Sequence, residues 1–93
     1  MKWPTNSYDR DYKYVSSTSS TATYKQKGLA FSEKSCTFSI VEVPLPIACE
    51  YHLSIKFNYK CLMDKTESSE ETFLGAFRSL EQIETVLEFI GAY

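Results

Sequence analysis

Apolar and polar residues alternate over residues 49–61, and this is the clearest pattern along the chain. The odd-numbered positions hold Cys49, Tyr51, Leu53, Ile55, Phe57, Tyr59 and Cys61. The even-numbered positions hold Glu50, His52, Ser54, Lys56, Asn58 and Lys60. Because successive side chains of a strand point to opposite faces, the pattern predicts a long strand with one buried and one solvated face.

The N-terminal part of the chain shows weaker signals of the same kind. Residues 1–10 are predicted to form a loosely held arm, with Trp3 as its anchor. Tyr12, Tyr14 and Val15 indicate a short strand, and residues 24–27 a returning strand that ends at a Gly28 turn. Between them, residues 16–21 are all serine or threonine. This composition favours an exposed, mobile loop at the tip of a hairpin.

Three further segments complete the predicted sheet. Residues 36–43 are β-rich, and Pro44 and Pro46 are predicted to end this strand before a wide connection. Residues 64–71 are polar and acidic, which is typical of a loop. Residues 72–77 are predicted to form a strand in which Gly75 marks a bulge or a close approach of the backbone.

The periodicity changes near the C-terminus, where apolar residues recur at spacings of three and four. This stripe of Leu80, Ile83, Val86, Leu87 and Ile90 is typical of an amphipathic helix. Ser79 and Gln82 match a capping box, and Gly91 suits the position after the helix. The pattern predicts a helix over about 80–90, or 79–91 with its caps.

The order of these elements predicts an α+β fold, with a small antiparallel sheet of about four to five strands and one C-terminal helix packed on it. The 93 residues suffice for a single domain over 1–93, and an apolar fraction of 43% with fourteen aromatic residues can form a core. A membrane span and a signal-peptide core are both missing, so we expect a soluble, cytoplasmic protein that does not bind membranes.

Metal and cofactor chemistry are not expected from the residues available. Cys36, Cys49 and Cys61 are odd in number, which favours reduced thiols over a disulfide framework. A zinc site would need His52 beside them, but on an extended strand Cys49 and His52 point to opposite faces. Buried cysteine behaves as a small hydrophobic residue, so we predict no metal and no cofactor.

Catalysis is not expected either. His52 is the only histidine, and it shares the polar strand face with Glu50, Ser54 and Lys56, a grouping that solvated sheets produce routinely. Signatures of acyl-transfer enzymes, zinc peptidases, P-loop proteins and dinucleotide-binding proteins are missing. We therefore predict a non-enzymatic protein without catalytic residues.

Charge is divided unevenly along the chain. Residues 1–63 carry eight basic and five acidic residues, whereas residues 64–93 carry two basic and seven acidic ones. Glu81, Glu84 and Glu88 fall on one face of the predicted helix with no basic residue four positions on. This row is either a solubilising outer face or a binding site for a basic protein partner. Glu67, Glu70 and Glu71 would extend it if their loop folded beside the helix.

Nucleic-acid binding is the alternative function. Tyrosines and lysines interleave at residues 12–14 and 24–27, and a sheet that displays both can stack bases and contact phosphates. However, the net charge is −2 with a pI of about 5.3, and the strand pattern sends Tyr12 and Tyr14 to one face and Lys13 to the other. Core or interface tyrosines are favoured, so direct contact with nucleic acid is the weaker hypothesis.

In size, charge and element order, including the capped-helix entry at residues 77–82, the chain resembles the small acidic inhibitors of phages and mobile elements. Anti-CRISPR and anti-restriction proteins are examples. The resemblance implies a protein-binding inhibitor whose carboxylates stand in for phosphates and cover a basic nucleic-acid groove of a host defence complex. It supplies no motif from which site residues can be transferred. The sequence does not decide whether the protein forms homo-oligomers through an edge strand or Trp3.

Overall fold

A computed structural model describes residues 3–4, 7–8, 12–26 and 31–91. Within these residues the chain forms six strands and one helix. They are β1 (Ser7–Tyr8), β2 (Tyr12–Ser17), β3 (Thr21–Gln26), β4 (Ser32–Pro44), β5 (Cys49–Cys61), β6 (Glu67–Phe77) and α1 (Leu80–Gly91). The α+β class and the C-terminal helix are confirmed, and sheet is the larger component.

The strands form one antiparallel sheet in which each strand pairs with the next along the chain, in the order β1 to β6. Five of these strands have six or more residues, and β1 adds a two-residue strand through the pairs Ser7 with Lys13 and Tyr8 with Tyr12. Part of the predicted N-terminal arm therefore belongs to the sheet. The other residues of the arm, apart from Trp3 and Pro4, lie outside the described residues, as does the predicted Gly28 turn.

β4 and β5 form the longest hairpin, and they pair from Ser32 opposite Cys61 to Pro44 opposite Cys49. Both predicted ends of the strand over 49–61 are confirmed. The wide connection predicted after residue 43 is wrong, since residues 45–48 form a tight turn in which the Leu45 N–H donates to the Ala48 carbonyl at 2.8 Å. β4 is longer than predicted because β5 offers it backbone partners over its whole length.

The loop predicted for residues 64–71 is correct only as far as residue 66. β6 begins at Glu67 and pairs with β5 from Glu67 opposite Lys60 to Phe77 opposite Tyr51. Asp64 organises the turn, because its carboxylate accepts hydrogen bonds from the Thr66 N–H at 3.1 Å and the Thr66 hydroxyl at 2.7 Å. These bonds lower the pKa of Asp64.

The bulge predicted at Gly75 is confirmed. Leu53 lies opposite Gly75 and Ser54 lies opposite Phe73, so Leu74 is the extra residue on β6. Gly75 has a φ of 157°, and a Cβ there would lie 3.2 Å from ring atoms of Phe77. The backbone angle favours glycine at this point, and a side chain there would also press against the Phe77 ring.

The core lies between one face of the sheet and α1. Its buried members are Trp3, Ala22, Tyr24, Cys36, Phe38, Leu53, Ile55, Ile83 and Leu87. The strand residues alternate in sequence and face the same side, as predicted for β4 and β5, while Ile83 and Leu87 supply the apolar stripe of the helix. α1 contacts both ends of the sheet, at β6 and at β1.

Trp3 is buried, and it anchors the arm as predicted. Its Nε1–H donates to the Thr18 carbonyl at 2.9 Å, and the Tyr24 hydroxyl donates to the Pro4 carbonyl at 2.6 Å. The hairpin tip is exposed but shorter than the predicted 16–21, because β2 and β3 extend to Ser17 and Thr21. Two hydrogen bonds join this tip to the rest of the fold, since Trp3 bonds the Thr18 carbonyl and the Ile40 N–H donates to the Ser20 carbonyl at 2.8 Å.

The helix begins with most of the predicted capping box. The Ser79 hydroxyl oxygen accepts from the Gln82 N–H at 3.3 Å, whereas the Gln82 side chain accepts from the Arg78 N–H at 3.0 Å rather than from that of Ser79. Gly91 is the last helical residue rather than the one after the helix. The helix predicted over 80–90 is thus confirmed with a one-residue extension.

Candidate partner-binding surface

The two faces of the sheet differ in what covers them. The face that carries Leu53 and Ile55 is covered by α1 near its centre. The opposite face, here called the open face, carries the polar alternation of β5 together with polar residues of β4 and β6. Its charges are paired across strands: Lys25 lies 3.6 Å from Glu33 and Lys60 lies 3.8 Å from Glu67.

The open face also contains a shallow hollow. Its volume is about 540 Å³, and it is lined by Glu33, Ser35, Lys56, Asn58, Tyr59, Lys60, Glu67, Ser68 and Ser69. Acidic and basic side chains alternate in this lining, so the hollow favours neither anions nor cations. The open face is therefore electrostatically balanced.

The helix glutamates are placed differently. Glu81 and Glu88 are exposed and Glu84 is half-buried. The last turn of α1 contains no basic residue, and no ion pair involves Glu81 or Glu88 within the described residues. Within the part of the chain that the structure describes, the helix row is thus an acidic surface whose two exposed members have no paired cation.

The predicted extension of this row by Glu67, Glu70 and Glu71 is not what the fold produces. The segment is a strand rather than a loop, and Glu71 lies six residues before Phe77. At the rise of a strand, that is roughly 20 Å from the last residue of β6. Glu67 and Glu71 point to the open face opposite Lys60 and Lys56, and Glu70 points to the helix side opposite Phe57. The C-terminal third therefore carries two separate acidic groups.

β6 is the outer strand of the sheet, and this feature was not recognised in the sequence. Every side chain from Glu67 to Leu74 is exposed, and these include Phe73 at 60% and Leu74 at 39%. A strand that buries so little shows no apolar alternation, which is the signal by which strands are recognised. The length of β5 was the one signal for β6 in the sequence. A long strand offers backbone hydrogen bonds on both sides, so a second neighbouring strand could have been expected.

A second hollow lies beside β6 on the helix side, beyond the part that α1 covers. Its volume is about 370 Å³, and its lining includes Tyr12, Lys34, Phe57, Tyr59, Ser68 and Glu70. Tyr12 and Phe57 are in ring contact with centroids 6.4 Å apart, and the Lys34 ammonium lies 6.0 Å from the Tyr59 ring centre. This end of the sheet thus presents partly exposed aromatic rings next to the outer strand.

His52 lies on the open face, as the alternation predicts. Its Nε2 is 3.1 Å from a carboxylate oxygen of Glu50, and its ring packs edge-on against Phe73 with centroids 5.4 Å apart. These contacts hold the imidazole against the surface of the sheet. Ser54 is the nearest hydroxyl along the same strand face, and no hydrogen bond joins it to His52.

The three cysteines are free and occupy different environments. Cys36 is fully buried, and burial raises the pKa of its thiol to about 12. The Cys49 thiol is hydrogen-bonded to Glu42, which raises its pKa. Within residues 3–4, 7–8, 12–26 and 31–91, no three His, Cys, Asp or Glu side chains come together as a metal site would need.

The buried thiol and phenol make the fold sensitive to alkali. Burial raises the pKa of Cys36 from 9.0 and of Tyr24 from 10.0, each to about 12. Both groups ionise more easily in the unfolded chain than in the folded protein. Their contribution to the free energy of unfolding is therefore complete below pH 9 and is lost as pH rises toward 12. We expect the free energy of unfolding to fall above pH 9 by up to about 1.4 kcal/mol per pH unit for each group.

Urea unfolding at a series of pH values measures this decline. In a Cys36→Ala variant the decline should begin near pH 10 rather than pH 9, because only Tyr24 of the two remains. A free energy of unfolding that stays constant from pH 9 to 11 would contradict the expectation.

The tyrosines and lysines of the alternative function lie on different faces. Tyr24 is buried in the core, and Tyr12 and Tyr14 pack against it, whereas Lys13 and Lys25 are exposed on the other face. Lys25 is also paired with Glu33. The described tyrosines and lysines of residues 12–14 and 24–26 therefore do not share a surface, and Lys27 lies outside the described residues.

Comparison of the chain with protein-family models, curated proteins and solved structures finds no match. Among the described residues, no helix has the length and apolar character that crossing a membrane requires.

Proposed function

We propose that the protein is a non-enzymatic binding module that docks on the basic surface of a protein partner through the outer side of α1. The observation that carries the proposal is the helix row, in which Glu81 and Glu88 are exposed without an ion pair among the described residues. Two other surface acids, Glu33 and Glu67, are matched by lysines on neighbouring strands.

The class of partner follows from the charge. Proteins that process nucleic acids carry basic grooves that bind phosphates, and carboxylates on a rigid helix can occupy the same positions. The protein would then act as an inhibitor by covering such a groove, and its association would weaken with added salt. The row lies on a regular element fixed by Ile83 and Leu87 in the core, so its spacing is preorganised.

Affinity capture from a lysate of the organism that encodes the chain tests this proposal. Glu81→Lys with Glu88→Lys is compared with a control, Glu33→Lys with Glu42→Lys, which makes the same change of charge on β4. We expect the helix variant to reduce recovery of a basic nucleic-acid-processing protein at least about tenfold, because like charges then meet across the contact. The control should retain it.

Equal recovery with both variants would contradict the proposal, provided that circular dichroism shows both to be folded. Mobility shifts with oligonucleotides at low salt address the alternative function. Tight binding of an oligonucleotide by the protein alone would favour a nucleic-acid-binding accessory protein instead.

A further inference from the structure

We propose that the outer edge of β6 accepts an extended, basic segment of a partner protein as an additional antiparallel strand. The inference rests on the proposed function in that it takes the protein to be a binding module. It concerns a different surface, the outer edge of β6 from Glu67 to Phe73, and it names the kind of segment that this surface fits.

The backbone of β6 supplies the binding groups. β6 pairs with β5 on its inner side and is the last strand of the sheet, so its outward N–H and C=O groups have no strand partner within the described residues. From Glu67 to Phe73 the strand is regular, and the bulge at Leu74 interrupts it. An extended segment can form main-chain hydrogen bonds with this stretch, as in other complexes formed by strand addition.

The side chains of the open face specify the charge of the segment. Lys60 pairs with Glu67 at 3.8 Å, and Lys56 lies opposite Glu71 in the register of β5 and β6. A new strand would place one residue beside each glutamate on its outer side. Basic residues there would give each glutamate a cation on both sides, and opposite charges across strands are favourable.

The register also fixes the spacing in the segment. Glu67 and Glu71 are four positions apart, so an antiparallel partner carries two basic residues four positions apart. The first of these basic residues lies beside Glu71. The residue two positions before it in the segment lies beside Phe73, which is 60% exposed. An apolar residue at that position would bury this ring.

Pairing of β6 with the β6 edge of a second copy does not meet these requirements. β6 has the sequence ESSEETFLGAF and contains no lysine or arginine. Self-pairing through this edge therefore never places a cation beside a glutamate, and the register that sets Glu67 opposite the partner's Glu71 places like charges together. The glutamates thus disfavour edge-to-edge dimers while they favour a basic segment.

The helix side of the edge offers additional contact area. Glu70 and Ser68 line the hollow of about 370 Å³ that also contains Phe57 and Tyr59. Residues of the added strand that point to this side would lie beside Ser68 and Glu70, one strand away from the two rings, which are 37% and 38% exposed. Aliphatic stems of lysine or arginine can cover such rings and keep their charge near Glu70.

Titration with a labelled synthetic peptide tests the proposal. The peptide consists of threonines except for one valine, a lysine two positions after it and a second lysine four positions after the first. Binding is measured by fluorescence anisotropy. Glu67→Lys with Glu71→Lys should weaken binding at least about tenfold, because both ion pairs become repulsive. The matched control, Glu42→Lys with Glu50→Lys, makes the same change of net charge near the turn of the β4–β5 hairpin and should bind like the unmodified protein.

Two N-methylated peptides separate strand addition from attraction by charge alone. Only alternate residues of an added strand direct their N–H toward the sheet. Methylation of one alternating set should therefore abolish binding by the unmodified protein, whereas methylation of the other set should preserve it. Equal binding of both peptides, equal loss in both charge variants, or no binding of the parent peptide would overturn the proposal.

These outcomes are independent of the helix. If the helix variant loses the cellular partner but the peptide does not bind, the proposed function stands and the strand site fails. If the peptide binds as described but the helix variant retains the cellular partner, the strand site stands and the proposed function fails.

Discussion

Replacement of Trp3 by alanine is expected to lower the free energy of unfolding by about 3–5 kcal/mol. The indole is only 4% exposed, and its ring lies 6.4 Å from that of Phe38. Its Nε1–H also bonds the Thr18 carbonyl at the tip of the β2–β3 hairpin. The substitution removes a core side chain and leaves this carbonyl to water, so the hairpin tip should loosen as well. Urea unfolding followed by circular dichroism measures the change.

Trp3→Phe separates the two contributions. Phenylalanine retains most of the apolar volume and lacks the N–H, so it should cost about 1 kcal/mol for the hydrogen bond plus a smaller packing loss. An effect of Trp3→Ala below about 1 kcal/mol would show that the arm contributes little to the core.

Phe38→Ala should be equally damaging, with an expected loss of about 3–5 kcal/mol. Phe38 is 1% exposed on β4 and lies between Ala22 and Ile55 in the sheet. Its ring also meets that of Tyr24 edge-on, with centroids 5.9 Å apart. The total stability of small domains is only about 5–15 kcal/mol, so a large part of this variant should be unfolded on mild denaturation.

Phe73→Ala is the matched control, since it makes the same substitution on β6 at a side chain that is 60% exposed. It should change the free energy of unfolding by about 0.5 kcal/mol or less. Comparable losses in the two variants would contradict the assignment of Phe38 to the core and of Phe73 to the surface.

The parts of the fold that were predictable are those in which one face of an element is buried. Leu53 and Ile55 on β5, and Ile83 and Leu87 on α1, alternate with exposed residues at the period of their own element. Burial imposes that period on the sequence, so the type and the ends of both elements follow from it. Gly75 was informative for a similar reason, because the bulge needs a residue without a side chain.

β6 could not be located in the same way. Its first half holds Glu67, Glu70 and Glu71, all exposed, and it is a strand because β5 offers it backbone hydrogen bonds. Such pairing depends on the partner strand and leaves little trace in hydrophobicity. The same cause explains why the candidate site was only partly predicted. The acidic residues could be counted, but their division into a helix row and a strand edge required the fold.

The order of the strands also has a consequence for how the chain assembles. Each strand pairs with its neighbour in sequence, so every hairpin closes a short segment at small entropic cost. The contacts of Trp3 with Phe38 and of α1 with β1 join residues that are far apart in the sequence. The contact of α1 with β1 brings together the two ends of the chain. The sheet can therefore form one hairpin after another. The N-terminal arm and the helix can then pack against it and complete the core.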